Sequence, residues 1–198
     1  MNDKFNKYFQ IYNELKALNT EKKSLSRYFK KAKDAAESST CGRKHVGAAI
    51  FYWPKDENNL KYEKGFLLGS GYNGYKENGD ETRYGKTVSD PSHTCADQYK
   101  YLNIDPDSDD GRAIHLFIMK DEIHAEDRAI QNVIKKYGEE ILKDSIIFTT
   151  LSPCENCTKM ITKYGIAVGG WLEKYNRDGG KGIRGIKKVL INSEIFDF

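Results

Sequence analysis

The sequence predicts an α/β fold in which helices flank a mixed sheet, on two observations. An antiparallel hairpin pattern runs from His45 to Gly71, and strand and helix patterns alternate after residue 124. Phe5, Tyr8, Phe9, Tyr12, Leu15 and Leu18 recur at helical spacing, which predicts an amphipathic helix near 4–18. A second helix is expected near 22–38, with Thr20 as its cap. His45–Trp53 is rich in β-formers and Lys64–Gly71 is a second short apolar run. The intervening loop, with Pro54, Asn58 and Asn59, makes them an antiparallel pair.

Residues 74–112 carry glycine, aspartate and serine with little periodicity and read as a long insertion. Ala129, Ile130, Val133 and Ile134 mark a helix near 124–137 that Gly138 can end. Ser145–Leu151 has the composition of a buried strand, and a short helix follows from about 155 to 164, with Gly165 at its end. Ile166–Leu172 and Lys187–Asn192 compete as the later strands, the first weakened by Gly169 and Gly170.

At 198 residues the chain suits one domain with decorations. Its 38% hydrophobic and 31% charged residues exclude wholesale disorder. The longest apolar runs, Val46–Trp53 and Ile146–Leu151, fall well short of the roughly 20 residues that cross a bilayer. No apolar leader with a small-residue cleavage site follows Met1, so a cytoplasmic protein is expected. Four cysteines, Cys41, Cys95, Cys154 and Cys157, then point to metal or catalysis before disulfides. A formal charge of +3, from 32 basic and 29 acidic residues, supplies no field to hold a polyanion. Arg27, Lys30, Lys31, Arg43 and Lys44 are basic enough to meet a single phosphate, although most of them also read as a solvated helix face.

The chemistry concentrates in two segments. His124-Ala125-Glu126 opens one expected helix, and Pro153-Cys154-Glu155-Asn156-Cys157 opens the next. If both helices start at the same end of a parallel sheet, their tips converge, and two cysteines three apart on a first turn face one point. One imidazole and two thiolates give three ligands and leave the fourth tetrahedral position of a zinc ion open. Zinc with an open position lowers the pKa of water to about 7. Glu126 need not bind the ion: it suits a proton carrier that serves ring nitrogen N3 and then the departing ammonia. A CxxC alone would leave a structural zinc or a redox pair as rivals, and a lone HxE is most often an ordinary helix start. Together and in this order they form the H-x-E…P-C-x-x-C signature of zinc nucleobase deaminases.

From Cys41 to Tyr175 the chain resembles the deoxycytidylate (dCMP) deaminase family, a branch of the cytidine deaminase superfamily. The resemblance rests on the zinc motifs, written as Ile123-His124-Ala125-Glu126 and Leu151-Ser152-Pro153-Cys154. It also rests on three further stretches: Ser39-Thr40-Cys41-Gly42-Arg43-Lys44-His45-Val46-Gly47-Ala48, then Gly71-Tyr72-Asn73-Gly74, and Glu173-Lys174-Tyr175. The resemblance implies a cytidine deaminase-like three-layer α/β/α sandwich with a mixed central sheet of four or five strands. It implies a helical segment, 1–38, packed on a catalytic domain, 39–198, with the insertion spanning about 74–122. The implied reaction is dCMP plus water giving dUMP plus ammonia, a supply of dTTP precursor.

By the same resemblance His124, Cys154 and Cys157 hold the zinc, and Glu126 is catalytic. Asn73 would hydrogen-bond the sugar or the neighbouring phosphate, and the backbone amide of Ala125 would meet the base carbonyl. Arg43 would take the 5′-phosphate, for which its fork of donors is suited; its other reading is a surface arginine near the hairpin. Tyr175 would line the pocket near the sugar or, as one of 13 tyrosines, belong to the core. Phage members of the family imply a second, structural zinc on Cys41, Cys95, His115 and Glu122, with His93 a rival for one place; buried free thiols are the other reading of those cysteines. The family also implies dCTP activation, dTTP inhibition and a dimer or hexamer, with nucleic acid not expected as a partner.

The chain departs from the family in a glycine-rich strand after the second cysteine and in a tail that stops soon after Ile191. The last helix and strand should therefore be short, and an exposed sheet edge would make oligomerisation useful. Two rivals stay open: a deaminase of another cytosine nucleoside, nucleotide or nucleic acid, and an inactive zinc-stabilised regulatory module. The Gly71–Gly74 segment and the balanced charge argue against a polymer substrate, and the non-ligand Glu126 argues against an inactive module.

Overall fold

The computed structural model describes residues 22–41, 44–55, 61–75, 82–83, 86–87, 103–105, 107–111, 113, 122–175, 179–191 and 194–197. The helix expected near 4–18 and the Thr20 cap lie outside these residues. Helix α1 (Lys22–Ala36) contains no glycine or proline, and Leu25, Tyr28, Phe29, Ala32 and Ala36 form one apolar stripe along it. Strands β1 (Gly47–Tyr52) and β2 (Leu67–Tyr72) pair antiparallel, as the hairpin pattern predicts. Four short strands follow: β3 (Gly74–Tyr75), β4 (Thr82–Arg83), β5 (Lys86–Thr87) and β6 (Glu122–Ile123). They pair β3 with β6 and β4 with β5.

Helix α2 (Ala125–Tyr137) ends at Gly138, whose N–H donates to the Ile134 carbonyl. A 3-10 turn at Glu140–Asp144 leads into β7 (Ser145–Leu151), then helix α3 (Glu155–Lys163), strand β8 (Ala167–Glu173), a single turn α4 (Lys181–Arg184), and strands β9 (Lys188–Ile191) and β10 (Glu194–Asp197). The main sheet runs β10-β9-β8-β7-β1-β2. Its β7–β8 and β8–β9 pairs are parallel and its other pairs antiparallel, so the sheet is mixed.

Two separate cores make the three layers. On one face Tyr28, Phe29 and Ala32 of α1 pack on Phe51, Ile146 and Phe148. There the Phe148 ring stacks on Tyr28 with centroids 5.0 Å apart and meets Phe29 edge-on at 5.1 Å. On the other face Ala129, Ile130 and Val133 of α2 and Ile161 of α3 pack on Ile50, Ile147 and Val168. Strand β7 is buried on both faces, so its near-continuous apolar run reads as a central strand. The expected α/β/α sandwich is observed. The five strands legible in the sequence are joined by β10, which the short C-terminal segment did not announce and which covers the edge of β9 expected to be bare. The last helix and strand are short, four residues each for α4 and β10.

Gly169 and Gly170 do not weaken β8; they make it possible. The register steps from Ile147↔Val168 to Phe148↔Gly170, so Gly169 is the extra residue of a bulge. A Cβ on Gly169 would lie 2.4 Å from the Phe148 ring, so the strand fits only because that position has no side chain.

Gly169→Ala should therefore cost about 1–3 kcal/mol through overpacking, and Phe148→Ala about 3–5 kcal/mol through lost burial. In the Phe148→Ala background the clash is gone and alanine at 169 should cost far less. Urea unfolding of the four proteins of this cycle measures the coupling, and strictly additive losses would refute the ring-over-glycine contact.

Candidate metal centre

Strand β2 runs in the direction of β7 because each is antiparallel to β1, so the chain leaves both at the same end of the sheet. Helices α2 and α3 begin at that end. The sequence predicts that each follows a connection at the same end of a parallel sheet. In the structure the sheet is mixed: α2 follows β6, which pairs with β3 just beyond β2, and α3 follows β7 of the main sheet. The convergence survives because β3 follows β2 after the single residue Asn73, so its partner β6 delivers α2 to the same end of the sheet.

His124 is the N-cap of α2 (φ −72°, ψ 153°) and Cys154 the N-cap of α3 (φ −74°, ψ 172°). Neither side chain caps its own helix. The first turns close through the backbone instead, Arg128 N–H to His124 O at 3.0 Å and Thr158 N–H to Cys154 O at 2.9 Å. Both side chains are thereby left to point into the gap between the tips. Cys157 adds the third group from the first turn of α3.

The Nδ1 of His124 lies 3.2 Å from Cys157 Sγ and 3.5 Å from Cys154 Sγ, and the three donor atoms all lie within 4.8 Å of one another. A tetrahedron with metal–sulfur bonds of about 2.3 Å and metal–nitrogen bonds of about 2.0 Å has nitrogen–sulfur edges of roughly 3.5 Å. The donor set fits a zinc ion, and its soft sulfurs disfavour magnesium or calcium.

The electrostatics agree. The Cys157 thiol donates to Cys154 and holds it down at about 4, aided by His124, while Cys157, which keeps that proton in a buried place, is pushed up. The hydrogen bond to Cys154 lifts His124 to about 9 against the opposing effect of burial. Positive helix N-termini favour thiolates in this position. A dication binding such a set displaces the shared proton.

Glu126 sits two residues after His124, on the first turn of α2, and is only 4% exposed. Its carboxyl meets the Cys157 thiol; burial pushes it above the usual carboxylate range, and the charge of His124 and a backbone N–H pull it back. Ala125, between them, is fully buried. Its amide belongs to the first helical turn, where N–H groups have no partner within the helix.

Asn73 stands at the β2–β3 junction, and most of its amide is engaged inside the protein. Its Oδ1 accepts from Ser39 Oγ at 2.7 Å and Val46 N–H at 2.7 Å, and its Nδ2 donates to Lys44 O at 2.9 Å. One N–H of that amide is left over from these bonds. Tyr175 follows β8 at the same end of the sheet, its N–H donating to Ser152 Oγ at 2.7 Å, and it is half-buried. Cys41 is buried and Glu122 half-buried. Arg43, His93, Cys95 and His115 lie outside the described residues.

Several groups that shape this region escaped the sequence reading. Ser39 ties the turn after α1 to Asn73. Arg128 is buried on α2, with its guanidinium 4.3 Å over the Tyr72 ring and donating to Gly74 O at 3.4 Å. Gly71 lets β2 approach the backbone of α2, where a Cβ would meet Ala129 N at 2.3 Å. Only the two glycines of that segment hinted at a crowded backbone; Ser39 was marked only as part of the Ser39–Ala48 stretch, with no role, and nothing marked Arg128.

Residues 22–168 match the model of the family described as the cytidine and deoxycytidylate deaminase zinc-binding region. No curated protein sequence is detectably similar. Among solved structures the chain is similar to the dCMP deaminase of the cyanophage S-TIM5. The apo form is 22% identical with a TM-score of 0.48, and the complex with dCMP and dUMP is 24% identical with a TM-score of 0.49. Each alignment covers 83% of this chain and 93% of the phage protein. No helix among the described residues is long and apolar enough to cross a membrane.

Each of His124→Ala, Cys154→Ala and Cys157→Ala should lose one bound zinc per chain relative to the unaltered protein, as measured by atomic absorption. A variant that retains the ion removes its residue from the ligand set.

Proposed function

The chain belongs to the cytidine and deoxycytidylate deaminase family, and from that premise we propose that it hydrolyses dCMP to dUMP and ammonia. The observation that carries the chemistry is a buried carboxyl, Glu126, set two residues from the His124 imidazole and against the Cys157 sulfur. His124, Cys154 and Cys157 would hold the zinc, which when bound supplies an activated nucleophile at neutral pH.

The protein's own groups supply the rest. Glu126 takes a proton from water and delivers it to N3 of the cytosine ring, which makes C4 electrophilic. Once the water oxygen has added to C4, the carboxylate takes the remaining proton from that oxygen and hands it to the amino group as the C4–N bond breaks, so one carboxyl serves both transfers. Ala125 presents a first-turn N–H to the base carbonyl and orients the ring. The dry surroundings of Glu126 raise its proton affinity, which makes it a better acceptor of a proton from water.

Selection of a nucleotide is assigned to the Gly71–Gly74 segment, Tyr175 and Arg43. The amide of Asn73 supports this reading mainly by holding Lys44 and Val46, the residues just after Arg43, and its remaining N–H is the part available to a sugar or phosphate. Activation by dCTP, inhibition by dTTP and assembly into a dimer or hexamer belong to the same proposal. So does a second, structural zinc on Cys41, Cys95, His115 and Glu122. Its support is local: Thr40, next to Cys41, packs on Gly74, and Gly74 and Tyr75 pair with the strand that bears Glu122.

Ammonia release from deoxycytidine, dCMP, dCTP, CMP and a cytosine oligonucleotide, with and without dCTP and dTTP, tests the substrate assignment. Highest kcat/KM for dCMP is expected; turnover of deoxycytidine alone would overturn the phosphate assignment, and no turnover of any would favour an inactive zinc module. Two zinc ions per chain, falling to one in Cys41→Ala, is the outcome expected for the second metal. Glu126→Ala should keep its catalytic zinc and lose roughly 10²- to 10⁴-fold in kcat; near-normal ammonia release would remove Glu126 from the mechanism.

A further inference from the structure

Cys154 is half-exposed, and as an N-cap it belongs to the loop as much as to the helix, yet a zinc ligand must hold its place to about ±0.2 Å. The neighbouring loop bonds fix Ser152, whose N–H donates to Glu173 O at 2.8 Å and whose Oγ accepts from Tyr175 N–H. They stop one peptide short of the Pro153–Cys154 unit. What lies on that unit is the single turn α4. Gly182 is buried there, and a Cβ built on it would meet Pro153 O at 2.1 Å, the Cys154 carbonyl carbon at 2.7 Å and Cys154 Cα at 3.0 Å. Thr158, 2% exposed on the α3 turn that bears Cys157, donates its hydroxyl to Gly182 O at 2.9 Å.

We propose that Gly182 and Thr158 are positioning residues of the metal centre, α4 laying its backbone on the Pro153–Cys154 peptide and so setting where Cys154 stands. The inference rests on the zinc reading of His124, Cys154 and Cys157. Its physical basis is that α4 cannot easily give way. Ile186, buried just beyond it, and Ile183 anchor it in the core under α2 and α3, and Thr158 holds its carbonyl. A side chain at 182 must therefore push the softer partner, the loop that carries Cys154. Reaching the 3.0 Å below which real Cβ atoms essentially never sit takes about an ångström of movement, several times what the coordination sphere tolerates. Backbone lying on backbone also explains why no larger residue serves at 182.

The test is zinc loss from the holoenzyme to an excess of chromophoric chelator, together with the visible spectrum of the cobalt-substituted protein. Gly182→Ala should weaken metal retention by roughly 10- to 100-fold, the usual effect of disturbing the groups behind a ligand, and shift the cobalt bands. Thr158→Val, which removes the hydroxyl without adding a clash, should move both readouts in the same direction by less. Gly169→Ala, on the opposite face of the sheet, serves as the control that lowers stability without touching the centre, and its zinc release should match that of the unaltered protein. The proposal is overturned if Gly182→Ala keeps the original release rate and spectrum, or if Gly169→Ala speeds release as much for an equal loss of stability. It is also overturned if Gly182→Ala fails to fold and Thr158→Val behaves as the original. An unaltered protein that binds no zinc would sink the metal reading instead, which keeps the two failures apart.

Discussion

Two helix tips aimed at one point are the constraint on which the rest of the molecule depends. A candidate metal ligand stands at the N-cap of each helix, and neither His124 nor Cys154 makes a side-chain capping bond. Forgoing a capping side chain costs about 1 kcal/mol per helix. It leaves the positive dipole ends of both helices facing the gap, a setting that favours the thiolate and carboxylate forms of the side chains gathered there. The local sacrifice at each helix end is what gives the site its preference for anionic sulfur.

Much of the remaining architecture keeps those tips in register. Helix α2 is held close to β2 by the absence of a side chain at Gly71 and by Asn132, which donates to Ser70 O at 2.9 Å. Its first turns are linked through Arg128 and Gly74 to the segment bearing Asn73, and Asn73 in turn gathers the turn after α1 and the approach to β1. The exposed Lys44–Glu173 ion pair at 2.9 Å joins that approach to the end of β8. Exposed pairs contribute little stability. What this pair adds is a tie between loops on either side of the ligand-bearing tips.

The elements that were legible in the sequence are those whose pattern is local. Ser145–Leu151, rich in β-forming residues, was readable to the residue, and α2 and α3 to within one, because composition, periodicity, the Gly138 stop and the cysteine spacing all speak within a single segment. The ligand set was legible for the same reason, each half being a short motif on one helix start. What resisted was everything defined by a partner far along the chain. Gly169 looks like a strand breaker until the Phe148 ring is seen over it. Asn73 reads from the sequence as a ligand-binding side chain, and its structural bonds to Ser39 and Val46 come to light only in the fold. β10 is four residues whose strand character exists only because β9 offers an edge.

Glu126 brings these threads together, because its usefulness depends on opposed forces. A carboxyl this deeply buried resists ionisation, and were burial the whole story it would stay protonated and never accept a proton. The helix start supplies the counterweight: a backbone N–H and the charge of His124 pull its proton affinity down while burial lifts it. Those two pulls meet at the first turn of the helix, where the His124 charge, or in its place that of a bound cation, lies beside the carboxyl. Moved one turn along α2, a glutamate would keep the burial and lose the N–H and the neighbour. The HxE spacing therefore has a physical reason beyond reach: it is the shortest separation that puts a carboxyl in the dry gap, beside the imidazole and on the positive end of the helix, without making it a ligand.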